Sequence, residues 1–133
     1  MTIGPYCFTN CTDEILNEYR NKGELSLFQF GCGIPSEENG YISTFCICNI
    51  FDHSDIVAFI ILSGRSNILS IDEFEVVKSK QRHGIGKDIV RAIQNDNAES
   101  SIIIIPNSIA ARSFWINCGF TEYEDEFMIW NNI

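Results

Sequence analysis

A change of pattern at Val77 constrains the fold more than any other feature of the sequence. Before it the chain reads as strand, turn, strand. Tyr41–Ile50 and Ile56–Leu62 are rich in β-branched and aromatic residues, with Asp52-His53-Ser54-Asp55 as the turn between them. Ser63-Gly64-Arg65-Ser66-Asn67 then leads into a further strand, Ile68–Val77. After Val77 the order becomes loop, helix, strand, helix. Ile85, Ile89 and Ile93 recur every fourth residue and mark one face of a helix ending near Asn95. Ser101–Ile105 is an apolar run bounded by Pro106, the pattern of a strand covered on both faces. Asn107 or Ser108 caps the next helix, whose stripe is Ala111, Phe114, Trp115 and Cys118; Gly119 stands where a left-handed residue ends it. Antiparallel strands leading into one crossover unit define a mixed α/β domain.

The flanking segments complete it. Thr12-Asp13-Glu14 before Ile15, Leu16 and Tyr19 predicts an N-cap, an acidic first turn and an amphipathic helix stopped near Gly23. Leu25–Phe30 reads as a short strand and Gly31–Gly40 as a loop. Phe120–Tyr123 and Phe127–Trp130 read as short strands around an acidic turn. With 133 residues, 45% of them hydrophobic, the chain builds one domain spanning 1–133 with a real core.

Charge is unevenly spread. Lys78, Lys80, Arg82, Lys87 and Arg91 share a 14-residue window with one acid, Asp88, so the window is +4; the whole chain is −9, which leaves −13 elsewhere. A solvated helix face is the ordinary reading of such a cluster, but its acidic background and its glycines favour an anion site. The overall balance repels polyanions, so nucleic acid is not an expected partner. The longest apolar stretch, Ile56–Leu62, is far short of a membrane span, and no cation precedes Arg20 as a secretory leader would require. A cytoplasmic protein without membrane partners is therefore expected.

Gln81-Arg82-His83-Gly84-Ile85-Gly86 joins a predicted strand to a predicted helix. Glycine at 84 and 86 lets the backbone turn tightly and approach a ligand. A helix beginning there presents unpaired N–H donors and roughly half a positive charge, a seat for phosphate oxygens. Arg82 and Lys87 add charge-assisted bonds of about 1.5–3 kcal/mol each before screening. Two familiar phosphate loops do not fit: Gly86-Lys87 is followed by Asp88 rather than Ser or Thr, and the third glycine of a dinucleotide fingerprint is replaced by Ile89.

The wider arrangement does fit a known pattern. Val76, then Gln81-x-x-Gly84-x-Gly86, then a helix and a strand, resembles motif A of the GNAT acyltransferase superfamily. Ala111, Phe114-Trp115 and Gly119-Phe120 resemble its motif B, in the same order and separation. The resemblance covers roughly Ile68–Trp130. It implies a mostly antiparallel central sheet flanked by helices and splayed after its fourth strand, Ile68–Val77, which carries a bulge. It further implies that backbone groups of Val76, Val77 and Lys78 bind the pantetheine arm of acetyl-coenzyme A. The loop Gln81, Arg82, His83, Gly84, Ile85, Gly86 and Lys87 would hold the pyrophosphate, with Asn107, Ser108, Ala111, Phe114 and Trp115 as further coenzyme-binding residues. Ser108 stands where relatives often have Asn, with Asn107 beside it.

The implied activity is N-acetylation of a primary amine, a cationic one given the acidic remainder of the chain. The alternative is a non-catalytic, coenzyme-binding or regulatory protein of the same fold. Bringing an amine of pKa ~10.4 to its neutral form at pH 7 costs about 4.6 kcal/mol, so a base helps. Glu73 and Glu75 fall on one face of the strand by period-two alternation, with Asp72 on the other beside Phe74 and Val76. Either glutamate is a candidate base. Relatives often keep a tyrosine as general acid where this chain has Trp115, so either no side-chain acid acts or Tyr123 substitutes. Of six cysteines, only Cys7-x3-Cys11 has zinc-like spacing, and Cys46 and Cys48 share a strand face that core burial explains. Free thiols and no metal are expected. A monomer and a homodimer fit equally well.

Overall fold

The computed structural model describes residues 1–26, 40–65 and 67–132. Eight strands form one sheet: β1 (Thr2–Ile3), β2 (Tyr6–Asn10), β3 (Gly40–Asn49), β4 (Asp52–Arg65), β5 (Ile68–Val76), β6 (Ser101–Ile104), β7 (Thr121–Glu122) and β8 (Met128–Trp130). Their order is β1-β2-β3-β4-β5-β6-β8-β7. Among the described residues only β5 and β6 run parallel, joined by the crossover helix α2 (Ile85–Asp96). The described residues also form the α-helices α1 (Asp13–Asn21) and α3 (Ile109–Asn117). The expected mixed, mostly antiparallel architecture is the one found.

Two apolar layers enclose the sheet. Ile89 and Ile93 of α2 and Trp115 of α3 pack on Phe8, Ile47, Ile60, Leu69, Ile71 and Ile102. Leu16 of α1 packs on Cys46, Cys48, Phe59 and Ile61 across the other face, with Tyr19 edge-on to Phe59 at 5.3 Å. Ile56–Leu62 reads as an unbroken apolar run because β4 is central and buried on both faces. Full burial of a side chain such as Ile89 or Ile93 contributes about 1.5–3 kcal/mol. The buried Gln94 amide of α2 donates to the Cys118 carbonyl at 2.8 Å, tying the end of α3 to α2.

Local predictions fare well where the signal is local. Thr12 caps α1, its hydroxyl accepting from Ile15 N, and Ser108 rather than Asn107 caps α3, accepting from Ala111 N. Gly119 takes a φ of +93° as expected. Three expectations need correction. The turn between β3 and β4 is Ile50-Phe51, and Asp52–Asp55 belongs to β4 as an irregular stretch in which Asp52 Oδ1 accepts from Ser54 N and Oγ. β6 is less evenly covered than expected among the described residues: Ile102 and Ile104 are buried while Ile103 is only partly buried, and the residues that pack with α1 lie on β3 and β4 rather than β6. Leu25 and Ser26 are irregular; the rest of the strand expected over 25–30 and the loop expected after it lie outside the described residues, apart from Gly40, which opens β3.

Candidate active-site cleft

β5 carries the bulge on which the site depends. Glu73 pairs with Ile61 but Ile71 pairs with Leu62, so Asp72 is an extra residue with no partner on β4. Leu69 and Ile71 face α2 and α3, and beyond the bulge Phe74 and Val76 do so instead. This phase slip keeps apolar side chains on the core and sends Glu73 and Glu75 to the face of Phe59 and Ile61. Asp72 leaves the alternation, and its Oδ1 accepts from Ser70 Oγ at 2.6 Å.

The same point is where β5 and β6 part. Their parallel pairing runs from Ile68↔Ser101 to Ile71↔Ile104 and stops. Val77 N donates to Val57 O at 2.9 Å, so these two form a hydrogen-bonded pair of the β4–β5 ladder. Alternation then turns the amides and carbonyls of Phe74 and Val76 toward the side that β6 has vacated. The gap is a cleft of about 440 Å³, lined by acids (Asp72, Glu73, Glu75) on β5 and by Asn107, Phe114 and Trp115 opposite. Val77 and Lys78 contribute less backbone than expected, because their amides already donate to Val57 O and to Glu24 O at 3.0 Å. Glu75 is also engaged: its Oε2 accepts from Ser26 N at 2.8 Å and from Ser26 Oγ at 2.9 Å.

One end of the cleft opens on the glycine loop. Gly84 is the N-cap of α2 with φ +75° and offers no capping side chain, so the N–H groups of the first turn have no intrahelical partner. Arg82 also has a left-handed φ of 67°. Arg82, His83 and Lys87 are exposed, and Ile85 anchors the loop against the core. Gln81 lines the cleft and folds back, its Nε2 donating to Val76 O at 2.9 Å. Gly86 lies under Phe114 and Val76, where a Cβ would stand 3.3 Å from each.

Residues 37–129 match the family model for the acetyltransferase (GNAT) domain. The chain belongs to the GNAT acetyltransferase family. No curated protein sequence matches it significantly. Among solved structures, the ribosomal-protein-S18-alanine N-acetyltransferase from Escherichia coli is similar at 14% identity and TM-score 0.60, over 93% of this chain and 90% of that one. YhhK from Escherichia coli, solved bound to coenzyme A, is similar at 13% identity and TM-score 0.61, over 96% and 98%. A KacTA–DNA complex shares the fold at 12% identity and TM-score 0.50, over 99% and 89%.

In this GNAT domain the far wall of the cleft is aromatic. Trp115 is buried, with its ring 5.0 Å from Phe114, 5.1 Å from Phe120 and 6.2 Å from Phe74. Ala111 and Asn107 line the cleft beside it, while Ser108 is turned to its capping role. Tyr123 follows β7, half exposed, and is not among the residues that line the cleft. Phe74 and Asp72 are the site residues that the motifs alone do not mark. Their signal is the slip in apolar spacing from 69 and 71 to 74 and 76, which announces the bulge.

The five described cysteines are free: Cys7, Cys11, Cys46 and Cys48 are buried and Cys118 is half-buried. Cys7 lies directly opposite Cys48 on neighbouring strands. Burial pushes the Cys118 thiol up to about 11, against the opposing pull of Lys87 and Arg91. Among the described residues no three His, Cys, Asp or Glu side chains converge on a common metal position. Nor is any described helix long and apolar enough to cross a membrane.

Proposed function

We propose that this GNAT domain transfers an acetyl group from acetyl-coenzyme A to a primary amine of a cationic acceptor. The observation that carries this reading is the parting of β5 from β6 after Ile71 and Ile104, which leaves a cleft running to an uncapped helix N-terminus. Acetyl-coenzyme A, when bound, supplies a thioester carbonyl open to attack by an amine. The chain's own groups fit it. The first-turn N–H groups after Gly84 suit a pyrophosphate, with Arg82 and Lys87 adding charge. Backbone groups of Phe74 and Val76 suit the amides of the pantetheine arm.

Glu73 is the first choice for the group that takes the acceptor's proton, because it stands beside the bulge where β5 and β6 part. Three carboxylates and no basic side chain are found among the described lining residues, which favours a cationic acceptor. Trp115 has no proton to give, and no phenol is found on that lining, so the chain offers a proton acceptor rather than a phenolic donor. That departure favours one second reading, a GNAT domain that binds the coenzyme without turnover. The overall −9 charge argues against nucleic acid as the acceptor.

Release of free thiol from acetyl-coenzyme A across a panel of mono- and diamines tests the proposal. Amine-dependent release, fastest with dications, is the expected result. Coenzyme binding with no release for any amine would leave the second reading in its place.

A further inference from the structure

The N-terminal hairpin touches α2 at a point that bears on the anion seat. The Tyr6 ring is buried in the core, and its hydroxyl donates to Asp88 Oδ2 at 2.6 Å, a contact between residues 82 apart in sequence. One turn further along the same helix face, Gly4 with φ +57° lies so close to Ala92 that a Cβ would be 3.2 Å from the Ala92 Cβ. The β1–β2 hairpin therefore lies along α2 from Asp88 to Ala92. Asp88 is the single acid of the Lys78–Arg91 window and sits in the first turn of α2. Among the described residues no cation comes within ion-pair distance of it. Helical side chains lean toward the helix N-terminus, so an unheld carboxylate at 88 would tilt toward the donors that follow Gly84. The residues that carry those donors, 85 to 87, lie within about 5 Å of residue 88 along the axis, inside the screening length at physiological salt. A charge-assisted O–H···O⁻ bond of this length is strong enough to fix the rotamer.

We propose that Tyr6 is a positioning residue for the anion seat: its hydroxyl holds the Asp88 carboxylate against the hairpin and off the α2 N-terminus. This rests on the coenzyme reading above. Tyr6 touches no reacting atom and acts through Asp88 alone.

Calorimetric titration with coenzyme A at 50 and 500 mM NaCl tests it on four chains: wild type, Tyr6→Phe, Asp88→Asn and the double variant. Tyr6→Phe should weaken binding about three- to tenfold at low salt and less than twofold at high salt, where the repulsion is screened. Asp88→Asn keeps an acceptor for the Tyr6 hydroxyl while deleting the charge, so it should bind as tightly as wild type or more so. The double variant should bind like Asp88→Asn. Wild-type affinity in Tyr6→Phe overturns the proposal. So does a double variant as weak as Tyr6→Phe, since Tyr6 would then act through packing. If Tyr6→Phe fails to fold, Asp88→Asn still decides, because weaker binding there would mean the charge is not harmful. A wild-type chain that binds no coenzyme A would instead remove the coenzyme reading, and this inference with it.

Discussion

Gly86 and Phe114 are packed so closely that a methyl group on residue 86 would lie 3.3 Å from the edge of the Phe114 ring. Val76 Cγ2 would stand at the same distance. The second glycine of the loop thus lets α2 close on α3 and β5, whatever it does for a ligand. Gly86→Ala should lower stability by about 1–3 kcal/mol through overpacking. Phe114→Leu in that background should recover part of the loss. Urea unfolding of the three chains checks this; an unchanged midpoint for Gly86→Ala would show that the wall yields freely.

Gly84 makes the opposite case. Nothing lies within 4 Å of a Cβ built there, but its φ of +75° strains any L side chain. Gly84→Ala and Gly84→Glu should therefore share a stability cost of about 1–2 kcal/mol. They should differ in coenzyme affinity, with the glutamate variant at least tenfold weaker because its charge faces the pyrophosphate, and the gap should narrow as salt is added. Equal affinities by calorimetry would remove the loop from the site.

The strand acids separate in the same way. Glu73→Gln should lower the acetylation rate about 10²–10⁴-fold at neutral pH, the usual worth of general-base catalysis. Coenzyme affinity should hardly move, and the loss should shrink at high pH, where the amine arrives neutral. Glu75→Gln should instead act on stability, by about 1 kcal/mol, because it weakens the hold on Ser26. Rates and melting temperatures of both variants decide. Full activity with an unchanged pH profile in Glu73→Gln would take the base assignment away.

How much of this was readable beforehand depends on the range of the interaction. Thr12 and Ser108 cap helices through bonds to residues three positions on, so the local sequence suffices. The glycine loop and the aromatic pair were likewise legible, since each occupies a few consecutive residues. β2 has no such local signature, because its pairing partner, β3, lies some 40 residues away, and a two-residue β1 leaves no pattern at all. The Asp52-x-Ser54 turn chemistry is plain in the sequence but sits inside a strand as an irregularity, with the reversal two residues earlier. Tyr123 could not be placed from sequence, because whether it reaches the cleft depends on how β7 and β8 sit beyond β6. The family resemblance implies a bulge on this strand, and its position at Asp72 stands in the apolar phase slip that strict alternation overlooks.

Stability toward base follows from Cys118. Burial raises its thiol from the ordinary 9.0 to about 11, with Lys87 and Arg91 opposing the rise. The unfolded chain releases this proton near pH 9, while the folded chain keeps it until about pH 11. Across that interval the folded state binds more protons, so stability falls as pH rises; below about pH 9 the contribution is fully present. Other groups shift the background: Tyr6 is also pushed up, by burial and by its bond to Asp88, and adds a loss above pH 10. A difference measurement isolates the thiol. Urea unfolding free energies of wild type and Cys118→Ala, taken from pH 8 to 11, should diverge only above about pH 9, with the wild type falling more steeply by up to one proton. Parallel curves would mean that the thiol meets enough water to titrate normally in the folded chain.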